Sequence, residues 1–188
     1  MQTDLPQLPL PKDHNLQQWA DELTRQLSTM MSNVYTDIRH LSDGVYGGIY
    51  CTGNTNATTI STQNTWYQIA CFDTNGPSSE TTPDHTNDHV LIDETGFYKI
   101  LFTASFSGGA GKTYELQVKT SNGATGYENI HTERKLGSGG DIGACSGHGH
   151  TLLTAGDTVE LWIRCTDVTT ANAVVRDVNL TVQKIGAA

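Results

Sequence analysis

Basic clusters are missing from this chain of 188 residues: 11 Lys and Arg stand against 20 Asp and Glu, a formal net charge of −9 at pH 7. Three copies together would carry −27, three times the single-chain value. Such a particle repels phosphate backbones, so nucleic acid is excluded as a partner. No run approaches the roughly 18 apolar residues that a membrane helix needs, so membrane insertion is not expected. Residues 1–12 lack the basic and apolar regions of a secretory signal, which points to assembly in a reducing cytoplasm. The cysteines, Cys51, Cys71, Cys145 and Cys165, are widely spaced with no C-x-x-C pair, which argues against zinc. Cys71 and Cys165 fall in apolar runs, so free thiols acting as small hydrophobes are expected, against a disulfide formed after release. No G-x-S-x-G elbow, H-E-x-x-H pair or Rossmann fingerprint occurs, so neither cofactor nor enzymatic role is expected.

What is present falls into three segments. Residues 1–13 hold Leu5, Pro6, Leu8, Pro9, Leu10 and Pro11. Prolines at that density forbid helix and favour an extended, polyproline-like conformation. Leucines between them read as an anchoring peptide that docks on a partner surface; a disordered leader is the alternative.

Residues 14–43 read as a helical stalk. Asn15 can cap its start, with Gln18 as box partner. Leu16, Trp19, Leu23, Leu27, Met30, Val34, Ile38 and Leu41 then recur with steps of 3, 4, 4, 3, 4, 4 and 3. This eleven-residue repeat nearly matches the natural helix twist, so a bundle built on it is straight or slightly right-handed. The stripe predicts self-association into a coiled-coil rod; folding back on its own β-domain is the ordinary alternative.

Residues 44–188 read as strands separated by Gly, Asn and Asp turns. Trp66–Phe72 and Val90–Ile92 are short apolar runs. Tyr98, Ile100, Phe102, Ala104 and Phe106 share one face, and Tyr114, Leu116 and Val118 alternate with polar residues. So do Val159, Leu161, Ile163 and Cys165, and later Val178, Leu180 and Val182. The expected class is mainly β, an antiparallel sandwich with an extended N-terminal anchor and one long helix.

Candidate chemistry is thin. Ser107–Thr113 ends in Gly-Lys-Thr, but Phe106 stands where a P-loop needs glycine, and an alternating strand pattern follows; a glycine hairpin turn is the better account. His148 and His150 alternate on one strand, and around a threefold axis they are weak candidates for a metal or anion ring. Thr82, Asp84, His85 and Asp88, with Asn122 and Tyr127, are candidate receptor-contacting loop residues. The sequons at Asn56 and Asn179 read as chance.

Two motifs add a resemblance. Gly96-Phe97-Tyr98-Lys99-Ile100 follows an apolar strand and turn, and Leu153-Thr154-Ala155-Gly156-Asp157-Thr158-Val159-Glu160-Leu161 sets a G-D turn before a strand. Together they resemble the tumour necrosis factor and complement globular-head superfamily over about residues 60 to 185. There the G-x-Y strand lies in the core and the G-D turn opens a strand near the end. The resemblance implies a jelly-roll head in a homotrimer on a stalk. Without a collagen-like stalk, the anchor, helix and Thr/Asn-rich head look more like bacteriophage appendages. The expected function is a non-enzymatic virion surface protein, a head fibre or capsid decoration, whose head adheres to host-surface glycan. A tail-fibre receptor-binding tip and a lectin-like secreted or cellular binding protein are the alternatives.

Overall fold

The computed structural model describes residues 16–188, the side chains of 36–43 excepted. The anchor residues Leu5 to Pro11 and the expected cap Asn15 lie outside the described residues, as do the side chains of Ile38 and Leu41. The chain divides into two units between Asp43 and Gly44.

The first unit contains helix α1, Leu16–Asp43, 28 residues or about 42 Å at 1.5 Å each. Polar residues one turn apart tie its surface. Arg25 pairs with Glu22 at 2.6 Å, Gln26 Nε2 donates to Glu22 Oε1 at 2.8 Å, and Gln17 Nε2 donates to Asp21 Oδ1 at 3.2 Å. Among the described side chains the apolar stripe is only partly covered in the single chain. Trp19 and Leu23 are half-buried, whereas Leu27, Met30 and Val34 are exposed, Val34 by 53%.

The second unit is a sandwich of two antiparallel sheets. Its strands are β1 Tyr46–Cys51, β2 Tyr67–Gln68, β3 Thr74–Asn75, β4 Thr81–Asp84, β5 His89–Ile92, β6 Gly96–Ser107, β7 Thr113–Thr120, β8 Thr125–Lys135, β9 Ile142–Leu153, β10 Thr158–Cys165 and β11 Val174–Gly186. A five-stranded sheet runs β3-β1-β11-β6-β9, and a six-stranded sheet runs β4-β5-β10-β7-β8 with β2 also on β10. From β5 onward the chain crosses between sheets, except at the β7–β8 hairpin. That alternation makes a jelly roll.

Period two explains the layers. Tyr98, Ile100, Phe102, Ala104 and Phe106 of β6 point inward, and so do Tyr114, Leu116 and Val118 of β7, Val159, Leu161, Ile163 and Cys165 of β10, and Val178, Leu180 and Val182 of β11. Truncating one of the buried rings would cost about 3–5 kcal/mol. Both buried tyrosines find partners for their hydroxyls. Tyr98 donates to the Glu94 carbonyl at 2.6 Å. Tyr114 accepts from the Gly109 amide at 2.9 Å, donates to the Ala171 carbonyl at 3.1 Å, and meets Phe106 edge-on.

Some local expectations need correction. Ser107–Thr113 is not a hairpin turn: it carries the chain from β6 in one sheet to β7 in the other, because the two strands pack face to face rather than pair. The run from Trp66 to Phe72 forms a strand only at Tyr67 and Gln68; Ile69, buried, adds one more bond by donating its amide to the Leu161 carbonyl of β10 at 2.9 Å, and Phe72 is buried beyond it. Residues 81–89 form the β4–β5 hairpin rather than a loop, since Thr81 to Asp84 pair with Ile92 to His89.

Candidate functional site

Among the described residues, no group of three or more His, Cys, Asp or Glu stands ready for a metal. The chemistry instead lies on the outward faces of the two sheets.

On the five-stranded sheet, alternation turns Tyr46 and Tyr50 of β1, Phe97, Lys99, Leu101, Thr103 and Ser105 of β6, and Asn179, Thr181 and Gln183 of β11 to the outside. Tyr46, Tyr50, Phe97 and Leu152 are exposed. Two open hollows flank Tyr50. One, about 580 Å³, is lined by Thr103, Ser105, Ser146 and Asn179; the other, about 420 Å³, by Tyr46, Pro77, Leu101 and Gln183.

β9 is the edge of this sheet, and its outward positions include His148, opposite Leu101, and His150, opposite Lys99. The two imidazoles share the exposed face, with no third ligand beside them among the described residues. The inward positions of β9 are small for a packing reason. A Cβ at Gly147 would run into the Phe102 ring, and one at Gly149 would meet Ile130 of β8 at 2.6 Å.

The outward face of the six-stranded sheet is polar and closed on itself. Register sets Glu160 opposite Lys119, Trp162 opposite Gln117 and Arg164 opposite Glu115. Arg164 Nε donates to Glu115 Oε2 at 2.6 Å, and His131 Nε2 lies 3.1 Å from the same oxygen. Trp66, from the segment before β2, lies over this strip. The Arg164 guanidinium is 4.4 Å and Lys119 Nζ 4.9 Å from its ring centre, with His131 edge-on at 6.2 Å. Lys119 also stands 5.7 Å from the Trp162 ring centre. Burial, and then the Arg164 charge, hold the Lys119 ammonium pKa below its usual range. Glu160 is fully buried and accepts from Trp162 Nε1 at 2.8 Å, Thr158 Oγ1 at 2.7 Å and the Asn122 amide at 2.9 Å.

Sequence reasoning missed this strip. Its signal was the polar partners alternating with Leu116, Val118, Leu161 and Ile163, which read as solvated when they are in fact paired.

The six loop residues singled out in the sequence do not form one cluster. Thr82, Asp84, His85 and Asp88 belong to the β4–β5 hairpin, whereas Asn122 and Tyr127 belong to the β7–β8 hairpin. Strand β10 fixes their separation. Gln68, opposite Trp162, donates to the Asn87 and Asp88 carbonyls, so the β4–β5 tip lies toward the end of β10; Ser121 donates to the Thr158 carbonyl, so the β7–β8 turn lies at its start.

The polar groups of both hairpins are largely engaged. Asp84 accepts from the Thr86 and Asn87 amides and from Asn87 Nδ2 at 2.7 Å, which holds its carboxyl below the ordinary range. Thr82 donates to Asp93 at 2.9 Å, and His85 to Asn75 through its amide at 2.8 Å. Asp88 accepts from the Phe72 amide at 3.1 Å, and burial pushes its carboxyl up to about 6. Tyr127 packs half-buried against the core.

No family model matches the chain, and no curated protein matches it by sequence. Solved structures do match. The Eiger TNF of S. frugiperda superposes with a TM-score of 0.54 at 14% identity, covering 77% of this chain and 95% of that one. The globular domain of zebrafish complement 1qA gives 0.52 at 14%, over 77% and 99%. Murine APRIL at pH 8.0 gives 0.51 at 15%, over 74% and 99%. The head is a jelly roll of the TNF and complement type. At these identities the likeness shows the fold and no ligand.

Proposed function

We propose that the chain is a non-enzymatic virion appendage that works as a homotrimer, with residues 14–43 as a helical stalk and residues 44–188 as a binding head. The observation that carries the reading is the open apolar stripe of α1, where Leu27, Met30 and Val34 are left exposed in one chain. Three copies placed about a common axis bury such a stripe against one another, as an eleven-residue repeat allows. The tyrosine-bearing face of the five-stranded sheet gives the heads a second contact of the same kind. Trimeric jelly rolls in the superfamily that the head resembles support the number three.

The extended leader, with Leu5, Pro6, Leu8, Pro9, Leu10 and Pro11, supplies the attachment to capsid or another virion protein. Presenting three rigid heads together lets weak contacts to a host-surface glycan add up through avidity.

The test has two parts. Sedimentation of the full chain should give about 61 kDa, three times the 20.4 kDa of one chain; a single-chain mass at micromolar concentration sinks the reading. Deleting residues 1–12 should leave that mass unchanged apart from the missing peptide and should abolish incorporation into particles. Copy number on those particles separates a head decoration, present in many copies, from a tail tip, present in few.

A further inference from the structure

We infer that Cys51 and Cys71 are a disulfide site: the head carries a latent cross-link that an oxidising medium closes. Their Sγ atoms stand 3.3 Å apart, and one thiol bonds to the other. A disulfide needs a separation of about 2.05 Å, so roughly 1.3 Å of approach completes it.

The backbone holds the pair in place. Cys51 ends β1, whose Ile49 and Tyr50 pair with Asn75 and Thr74 of β3. The Asp73 amide continues that ladder by donating to the Tyr50 carbonyl at 3.2 Å, and the Phe72 amide is held by Asp88 at 3.1 Å. Cys71 is therefore delivered to Cys51 by two fixed neighbours in sequence. The other cysteines offer no such contact: Cys165 is buried near Asp167, and Cys145 lines the larger hollow with Cys51 but forms no thiol contact with it.

The chemistry needs a two-electron oxidant, and a small-molecule disulfide suffices. Cys71 is only half-buried, whereas Cys51 is buried, so Cys71 reacts first. Its thiolate attacks one sulfur of the small disulfide, expelling one thiolate and leaving a mixed disulfide. The Cys51 thiolate then attacks the Cys71 sulfur and expels the second. Two protein thiols are oxidised, one small disulfide is reduced to two thiols, and the two protons end on the released thiols.

Ionisation sets the pace. Burial, then the bond to Cys51 and the Asp88 and Asp73 carboxylates, push the Cys71 thiol up; burial, with Asp73 and Asp177 beside it, does the same to Cys51. The cross-link therefore forms slowly near neutrality and about tenfold faster per pH unit above it, as the thiolate fraction rises. Once closed it bridges positions 51 and 71, tying the segment that carries Ile60, Trp66 and Ile69 to β1.

The inference does not depend on the appendage reading, because it concerns the purified chain alone. Reduced full-length protein is held in a glutathione redox buffer without denaturant at pH 7, 8 and 9, then alkylated and digested with chymotrypsin, which cuts between the two cysteines at Trp66 and Tyr67. The expected result is a linked pair holding Cys51 and Cys71, two alkylated cysteines elsewhere, and the same link in Cys145→Ser and Cys165→Ser proteins. At fixed protein concentration the oxidised form should melt roughly 6–12 °C higher, a gain absent from Cys71→Ser. Four alkylated cysteines at equilibrium, a link from Cys51 to Cys145, or a link that appears only in denaturant would each overturn it.

Discussion

On the outward face of the six-stranded sheet, Glu115 meets Arg164 and His131, Trp66 lies between two cations, and Glu160 takes three donors. On the outward face of the five-stranded sheet, Tyr46, Tyr50, Phe97 and Leu152 stay exposed around two hollows. Both faces come from the same alternating pattern, and both sit over one shared core. One is finished by its own chain and the other is not. The difference teaches where to look for partners: a face whose charges and rings are already engaged offers little net gain to a newcomer, whereas exposed aromatic rings beside open hollows gain from being covered. Helix α1 repeats the second situation in one dimension.

The sharpest way to break this contrast is to make both open surfaces repel their copies. Leu23→Asp with Leu27→Asp on the stripe, and Tyr50→Asp with Leu101→Asp on the sheet, should each raise the concentration for half-assembly about 1000-fold, on the order of 4 kcal/mol for each of the two association steps of a trimer. The four changes together should yield single chains with the β-sheet circular dichroism of the parent head. If that protein still sediments as a trimer, the open faces are not where copies meet.

The finished face should respond in the opposite sense, losing stability without losing assembly. Glu115→Ala leaves Arg164 and His131 without their carboxylate. For an ion pair whose Arg164 is more than a quarter exposed, the cost is about 2–3 kcal/mol, less than that of a fully buried pair. Thermal melting should fall by several degrees while the sedimenting mass stays the same. Trp66→Ala should cost about 1–2 kcal/mol through lost burial and cation–π contact. Dissociation of the proposed trimer by either change would mean that the six-stranded face also takes part in assembly.

The division of effects follows what the sequence could and could not express. Strands β6, β7, β10 and β11 were legible because one face of each is buried, so apolar residues recur at every second position. The helix was legible because its stripe runs without a break over the whole segment. Strand β9 was opaque: its inward positions are Gly143, Cys145, Gly147 and Gly149, small because Phe102 and β8 already fill the space. Strand β8 was opaque as well, since only Ile130 of Thr125–Lys135 is fully buried. The Trp66 strip could not be read because it depends on cross-strand register, which places Arg164 beside Glu115 across 49 residues of chain. The candidate loop residues were correctly seen as polar, but their positions at opposite ends of the six-stranded sheet came only from the pairings along β10.

One polar group in the finished layer is paired at a cost, and it supplies the smallest and most specific test. Asp88, at the tip of the β4–β5 hairpin, accepts from the Phe72 amide, yet burial lifts its carboxyl from 3.8 to about 6, against the opposing pull of that amide and of His85 and His89. A raised folded-state pKa means that the folded chain holds the proton more tightly than the unfolded one. The resulting stabilisation is fully present below about pH 4 and is lost as pH rises through about 6. Asp88→Asn keeps an acceptor for Phe72 and tolerates the positive φ of 55° at this position. With the half-exposed site screened by water, the variant should be more stable than the parent by about 1 kcal/mol at pH 7.5, with the gap closing as pH falls to 4. Chemical denaturation at the two pH values measures it. A variant less stable than the parent at pH 7.5 would mean that the ionised carboxylate supports the hairpin, and the six-stranded layer would then be self-satisfied to its edge.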